Sequence, residues 1–477
     1  MSTVTPTLWG AGKQTSAAPM FEIFGGTIMN TARRDIGRRS MTRFTFGAGL
    51  AVIALLGSAC SSDSTSAPAS SATSATTADT TTDGTGGTDT ANTATTGTTG
   101  TELGPATGEK LLIGLVNTEG TPGIDFPDIR KDIMATTDYL NAHGGYGGRP
   151  IEYVPCIAKG TPESSQACAQ ELVGKKVELI LLGLDLFPDY KTYTSASIPV
   201  IGVLPILPAD YNADALFITG GNATVMSAAA VVARDHFNAK TVSIISSSNA
   251  GSAQSASAVK ASLDVAGIKS KLVTGGDGET DAGFQGLMRE AAKDNPDVII
   301  SLYADSGCIG SMRGRAALGI TIPVITTGIC SSKEVLKEVG DDAVGWVFAG
   351  VNESVDSPQR TIMRKILAPM LGVPEEEVDI NGLGLGALGY MTAMSLADYS
   401  NKMVSEGTPM TAKALYNYLG TSKDLKLFGG AAPMECGALA TYSSVCSYIF
   451  PFAEYVAGGK VIDLKGFEAV SSKDLLP

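Results

Sequence analysis

Short runs of consecutive apolar residues alternate with longer amphipathic stretches along most of this chain. Leu111–Val116, Ile151–Cys156, Val177–Leu182 and Ile198–Leu204 are mostly apolar, broken only by Glu152 and Glu178, and keep no strict period of two. Strands buried on both faces of a parallel sheet read this way. Between the first two, Ile129, Ile133, Thr137 and Leu140 recur at helical spacing. That helix ends at His143-Gly144-Gly145, where glycine supplies a left-handed stop. Thr161 and Pro162 open the next helix as N-cap and first-turn residue. The pattern then repeats. Thr241–Ser246, Lys269–Val273, Val298–Leu302, Pro323–Thr326 and Trp346–Gly350 read as strands. Ala253–Ala266, Phe284–Asp294, Ile309–Leu318 and Ser332–Val339 read as the helices between them.

Strand–helix alternation of this kind predicts right-handed, mostly parallel sheets covered by helices. Two successive series predict two similar α/β lobes. After Asp356 the chain turns helical over Gln359–Leu371, Leu385–Val404 and Thr411–Leu419. It closes in a hairpin, Ser447–Val456 with Lys460–Leu464, around Gly458-Gly459. In open α/β sheets a ligand binds beyond the carboxyl ends of the strands. With two lobes, those ends can face each other across a cleft that closes on a small molecule.

The first hundred residues have a different character. Arg33, Arg34, Arg38, Arg39 and Arg43 precede the apolar run Phe44–Leu56, which gives way to Gly57, Ser58, Ala59 and Cys60. A basic segment, a short apolar core and a small-residue cleavage site describe an export signal. The cysteine directly after it gives residues 1–60 the look of a lipoprotein signal, with Cys60 as the lipidated residue. Gly57 occupies the place three before the cysteine, where an aliphatic residue is usual, and Leu56 lies one further back. The alternative is an uncleaved signal anchor, for which the run is short against the ~20 residues a bilayer requires. The first 28 residues have no place in such a signal, so Met29 or Met41 is the more natural start. The residues after Arg38-Arg39 do not fit a twin-arginine signal. Residues 61–109 are almost entirely Ser, Thr, Ala, Gly and Asp, with no aromatic and Leu103 as the one large aliphatic. Such a segment buries too little apolar surface to offset the entropy of ordering it. It reads as a flexible tether.

Composition narrows the chemistry. A net charge of −13, with no basic aromatic groove, argues against a nucleic-acid partner. Of seven cysteines, Cys60 is assigned to lipid, which leaves an even six. Outside the cytoplasm an even count points to disulfides. Six cysteines allow about 15 pairings, and the nearest-neighbour set is the one expected: Cys156–Cys168, Cys308–Cys330 and Cys436–Cys446. His143 and His236 are the only histidines and no CxxC occurs, so no metal site and no cofactor are expected. Catalysis finds little support: GxSxG, HExxH and GxxxxGK[ST] are all missing from the sequence. Gly384–Gly389 spells GxGxxG at the start of a helix. A dinucleotide site needs a strand directly before it, and Pro374–Asn381 is acidic and loop-like, so close helix packing is the expected role. Ser246–Gly251 follows a strand, and is either a set of solute contacts or a hydrogen-bonded turn.

The residues now reached resemble a known family. Tyr139–Ile151 (YLNAHGGYGGRPI) looks like the helix–turn–strand signature of branched-chain amino-acid-type binding proteins, the solute receptors of ABC importers. Asn295–Val298 (NPDV), Arg315–Gly319 (RAALG) and Ile322–Ile325 (IPVI) resemble its second lobe, and Gly389–Ala393 (GYMTA) with Ala412–Leu419 its late helices. The resemblance runs from about Lys110 to Leu464. It implies a two-lobed type I periplasmic binding protein fold with three hinge crossings. The first lobe would hold roughly 110–225 plus 355–430, and the second roughly 226–354 plus 431–477.

The resemblance also implies pocket positions, and this chain departs at most of them. The loop after the third strand, usually Ser-rich, is Gly183-Leu184-Asp185-Leu186 here. The run after the fourth strand that holds a ligand carboxylate in the family is Leu204-Pro205-Ile206-Leu207. Asn249-Ala250-Gly251 replaces an aromatic, and the acid that pairs a ligand ammonium falls near Gly328. Tyr303 stays close to the family's second aromatic, with Asp305 beside it. A zwitterion needs its charges matched when desolvated. The departures therefore point away from an α-amino acid. A cleft lined by Leu184, Leu186, Leu204, Ile206 and Leu207 would suit a more apolar acid, amide or alcohol. The implied whole is a monomeric, extracytoplasmic, lipid-anchored protein that clamps a solute and docks on an ABC permease. The alternatives are a ligand sensor that signals to a membrane receptor, and an enzyme on a two-lobed scaffold.

Overall fold

In the computed structural model, which describes residues 103–121, 125–276, 278–304, 306–350, 357–430 and 432–477, the early apolar runs form one sheet. β1 (Leu111–Thr118), β2 (Ile151–Ala158), β3 (Leu179–Leu182), β4 (Val200–Gly202) and a short β5 (Leu216–Phe217) lie in the order β2-β1-β3-β4-β5. Every pairing in it is parallel. Residues 1–102, with the export segment, Cys60 and most of the tether, lie outside the described residues, as does Asp305.

Both faces of this sheet are covered, which is why its inner strands β1, β3 and β4 carry no polar face, while the edge strand β2 exposes Glu152. Leu111, Ile113, Leu115, Leu179 and Leu181 enter one core, while Val116, Ile180, Leu182 and Val200 enter the other. α1 (Pro127–Ala135) and α2 (Thr137–Ala142) lie on the first face. α3 (Pro162–Gly174) and α4 (Tyr190–Ser195) bring Cys168, Leu172 and Tyr193 to the second. The start of α3 is set by its sequence: Thr161 accepts from the Ser164 amide, and Pro162 occupies the first turn.

α5 (Asn222–Asp235) begins the second lobe. β6 (Thr241–Ser247), β7 (Lys269–Gly275), β8 (Val298–Leu302), β9 (Val324–Thr327) and β10 (Trp346–Ala349) follow, separated by α6 (Ala250–Val265), α7 (Asp281–Ala292), α8 (Ser306–Ala317) and α9 (Lys333–Val339). α5 and α6 cover one face of the parallel strands, through Ala229, Val232, Val259 and Leu263. α7, α8 and α9 cover the other, through Phe284, Met288, Met312 and Val335.

The chain then returns. α10 (Pro358–Leu371), α11 (Gly384–Ser405) and α12 (Ala412–Thr421) pack on the first sheet through Leu367, Tyr390, Leu396 and Leu415, and Met434 and Cys446 join that same core. β11 (Ile449–Phe450), β12 (Phe452–Val456), β13 (Lys460–Asp463) and β14 (Val470–Ser471) follow. β12 and β13 extend the second sheet antiparallel, giving the order β13-β12-β10-β9-β8-β6-β7. Their turn is made by Gly458 and Gly459, both at positive φ. Among the described residues, no helix is long and apolar enough to cross a membrane.

Two chain crossings between the lobes run side by side. The Phe217 amide donates to the Ser444 carbonyl at 2.7 Å, and the Ser447 hydroxyl donates to the Ile218 carbonyl at 2.7 Å. Gly220 lies against the Phe450 ring so closely that an added Cβ would sit 2.1 Å from it. Among the described residues there are three disulfides, each joining a cysteine to the next one in sequence: Cys156–Cys168, Cys308–Cys330 and Cys436–Cys446.

Candidate functional site

The turn after β9 on the second lobe meets the first lobe at α11 and the turn before it. On the first lobe, the start of α11 lies against α1 just after β1: Gly389 meets the Ile129 carbonyl and Gly386 the Asp132 side chain. On the second lobe, the 3-10 turn Gly328–Ser331 follows β9 directly and touches both the Asn381–Leu383 turn and α11. A hydrogen bond crosses here, from the Lys333 amide to Asp379 Oδ2 at 2.8 Å. A crevice of about 340 Å³ beside it is lined by Ser331, Lys333, Lys337, Asp379 and Tyr455. A larger surface cavity of about 410 Å³ lies between α7 and α8, on the second lobe alone. The strand edges therefore define the candidate site better than cavity size does.

On the first lobe the edge is held by its own polar side chains. Asn117, at the end of β1, donates to the Phe126 carbonyl at 2.8 Å and accepts from the Leu184 amide at 2.9 Å. Gly183 leaves the room this needs, since a Cβ there would lie 2.5 Å from the Asn117 oxygen. Glu119 takes both Nε and Nη2 of Arg130, at 2.6 and 3.0 Å. Burial works to raise the Glu119 carboxyl, but the bonds from Arg130 and Asn117 outweigh it and hold it below its ordinary range.

Asp185 and Asp210 lie deeper. Asp185 Oδ1 accepts from the Ser165 hydroxyl at 2.6 Å and the Phe187 amide at 3.2 Å. Its Oδ2 is buried without a partner. Asp210 Oδ2 accepts from the Ile206 and Leu207 amides, both at 2.8 Å, and its Oδ1 from the Tyr190 hydroxyl at 2.6 Å. Burial pushes both carboxyls up despite these bonds, and Asp210 adds to the rise at Asp185.

The sequence-derived positions divide. Leu184, Leu186, Leu204 and Ile206 belong to the first-lobe core, each less than a tenth exposed. In this conformation they pack against other apolar side chains and are closed to solvent. Pro205 is buried too, its carbonyl packed on Gly221, while Leu207 remains partly open. Tyr303 is buried as well. Its ring lies between Gly275 and Gly307, edge-on to Phe284 at 5.2 Å, within the second-lobe core. Asn249 caps α6 through the Ser252 amide at 2.8 Å, and also donates to the Ser247 hydroxyl at 2.6 Å, so this loop is a hydrogen-bonded turn. Ala250 is exposed at the start of that helix, and Gly328 opens the turn that meets the first lobe.

Sequence reasoning missed Asp210, Asn117 and the Glu119–Arg130 pair. A signal existed for Asp210. It stands three residues after Leu207 and reaches back to that amide, as the acid of a capping box does. The GxGxxG run is a packing device: Cβ atoms at Gly386 and Gly389 would lie 2.4 Å from Asp132 and 2.7 Å from the Ile129 carbonyl. Among the described residues, no cluster of three or more His, Cys, Asp or Glu could hold a metal ion.

Comparison with known proteins agrees with this architecture. An ABC transporter substrate-binding protein from Sphaerobacter thermophilus superposes with a TM-score of 0.62 at 19% identity, over 77% of this chain and 100% of that one. A leucine binding protein from Thermotoga maritima gives 0.57 at 15%, over 76% and 99%. An ABC transporter solute binding protein from R. palustris, in complex with 4-hydroxybenzoate, gives 0.57 at 19%, over 76% and 97%. At these identities the likeness establishes the fold. No curated protein matches the chain. The family model described as periplasmic binding protein matches residues 110–430, and the chain belongs to that family, with its two-lobed type I α/β fold.

Proposed function

We propose that this protein is the solute receptor of an ABC importer, holding one small organic molecule between its lobes and docking on a membrane permease when closed. The observation that carries the reading is the contact between lobes at the carboxyl end of β9, where the Gly328–Ser331 turn touches the Asn381–Leu383 turn and α11. Loops at strand ends are where α/β folds place ligands, and adjacent crossings such as 217–220 and 444–450 form a natural hinge. Family membership implies an extracytoplasmic location. The family and its neighbours are solute-binding proteins rather than enzymes. In this reading Cys60 carries lipid, residues 61–109 are the tether, and the receptor works as a monomer.

Native mass spectrometry of the protein purified without denaturation tests the proposal. One solute per chain, released on unfolding and chemically unchanged, is the expected result. Catalytic turnover of the recovered molecule would count against a receptor. So would a scattering profile that no solute alters.

A further inference from the structure

The crevice of about 340 Å³ beside the Lys333–Asp379 bond has walls from two elements of the second lobe and an acid from the first. α9 offers Lys333, Leu336 and Lys337; the β12–β13 hairpin offers Tyr455, Gly459 and Val461. We infer that this crevice is a second binding site, separate from the strand ends, for a small molecule with a carboxylate at one end and an amine or hydroxyl at the other. Its volume falls within the roughly 300–1,000 Å³ of small-molecule sites.

The second lobe supplies the groups for the carboxylate. Lys333 and Lys337 stand one turn apart on α9, about 6 Å along its axis. Both are exposed, and neither ammonium pairs with a carboxylate among the described residues. Tyr455 is 2% exposed, yet it lines the crevice. Its hydroxyl has no hydrogen-bond partner among the described residues, and it lies 3.8 Å from where a Cβ on Gly459 would be. The pairing of Val347 with Glu454 sets Tyr455 level with Trp346, at the amino end of β10. α9 runs from the carboxyl end of β9 toward that end, so Lys337 is the lysine on the Tyr455 side. An ammonium and a phenol hydroxyl are both donors to a carboxylate.

The first lobe supplies the complement. Asp379 Oδ2 accepts from the Lys333 amide at 2.8 Å, and its Oδ1 has no donor among the described residues. That oxygen can accept from an ammonium or a hydroxyl. Leu336 and Val461, both packed on the second-lobe core, give the crevice apolar walls. Opposite charges therefore sit on opposite lobes. A plain carboxylate leaves Asp379 unmatched and a plain amine faces two lysines, whereas a two-ended molecule satisfies both. Because it joins the lobes, such a ligand favours the closed form.

Calorimetric titration of the full chain in detergent at low salt, with 5-aminopentanoate, 5-hydroxypentanoate, pentanoate and pentylamine, tests this. The two-ended compounds should bind at least about fivefold more tightly than pentanoate or pentylamine, each of which lacks one partner. Lys337→Gln and Tyr455→Phe should each weaken 5-aminopentanoate about threefold or more, and Asp379→Asn should erase its advantage over pentanoate. Equal binding of pentanoate, binding that ignores both Lys337→Gln and Tyr455→Phe, or no binding of any of the four overturns the inference. None of these outcomes bears on the solute recovered by native mass spectrometry, so the receptor reading stands or falls separately.

Discussion

The backbone amide of Lys333 donates to Asp379 Oδ2 at 2.8 Å, and the two residues belong to different lobes. Lys333 is the first residue of α9, whose N-cap is Ser332. Asp379 therefore satisfies one of the orphan donors of that helix from across the interlobe contact. An open form must leave this amide to water. Asp379→Ala should cost the closed form about 1 kcal/mol and weaken solute binding roughly fivefold by population shift. Asp379→Asn, which keeps an acceptor, should lose less. Scattering with and without solute, beside titration calorimetry, checks both. Equal closure in wild type and the alanine variant would refute the latch.

The turn that makes this contact is tied down from beneath. Cys330, inside the turn, is bonded to Cys308 at the start of α8, and both are fully buried. The Thr326 hydroxyl lies 3.4 Å from the Cys330 sulfur. The bridge spans 22 residues, so loop closure alone predicts about 3 kcal/mol of stabilisation. The double variant Cys308→Ala, Cys330→Ala should melt several degrees lower and bind solute less tightly. Differential scanning calorimetry reads the first effect and titration the second. An unchanged melting point would show that the turn holds without the bond.

The fold was legible because its signals are local. Val298–Leu302 is apolar at every position and forms β8 with those same bounds, buried throughout. Thr161 and Pro162 mark the start of α3. α5 was not legible, and its burial shows why: from Ala223 to Ala233 nearly every residue is buried, so no polar face gives the helix a period. β5 is two residues long and has no pattern of its own. The site was less readable still. Leu184 and Ile206 are apolar for the same reason whether they line a cleft or finish a core. Of the acids that organise the edge, Asp210 binds the nearby Ile206 and Leu207 amides, a local signal, whereas Asp185 bonds Ser165 on α3, twenty residues away, and is set by the packed fold.

Asp132 makes stability depend on pH. It sits on α1, 1% exposed, with Oδ2 facing Gly386 of α11 and no hydrogen-bond partner. Burial raises its carboxyl to about 7, Asp128 adding to the rise and Lys131 opposing it. The folded value exceeds the unfolded one, so between roughly pH 4 and 7 the unfolded chain has released a proton that the folded chain retains. Stability from this group is complete below the unfolded value and is lost as pH climbs through 7. Asp132→Asn should flatten that decline and leave the variant on the order of 1–3 kcal/mol more stable than wild type at pH 8. Urea midpoints at pH 4.5 and 8 measure it, and parallel pH slopes for the two proteins would refute the assignment.

Two glycine substitutions should move stability in opposite directions. Gly389, inside α11, faces α1 so closely that an added Cβ would meet the Ile129 carbonyl at 2.7 Å and Ile133 at 3.1 Å. A backbone oxygen cannot swing aside as a side chain can, so Gly389→Ala must push the two helices apart and open the core around Tyr390 and Ile129. Overpacking of this kind costs about 1–3 kcal/mol. Gly286 sits inside α7 with helical neighbours and nothing within 4 Å of its would-be Cβ. There alanine restricts the unfolded chain without meeting anything in the folded one, so Gly286→Ala should add roughly 0.4–1 kcal/mol. Melting curves of the two variants beside wild type decide the matter. If Gly389→Ala melts no lower than wild type while Gly286→Ala melts higher, α1 and α11 do not depend on the glycine, and the GxGxxG run must be explained by something other than close packing.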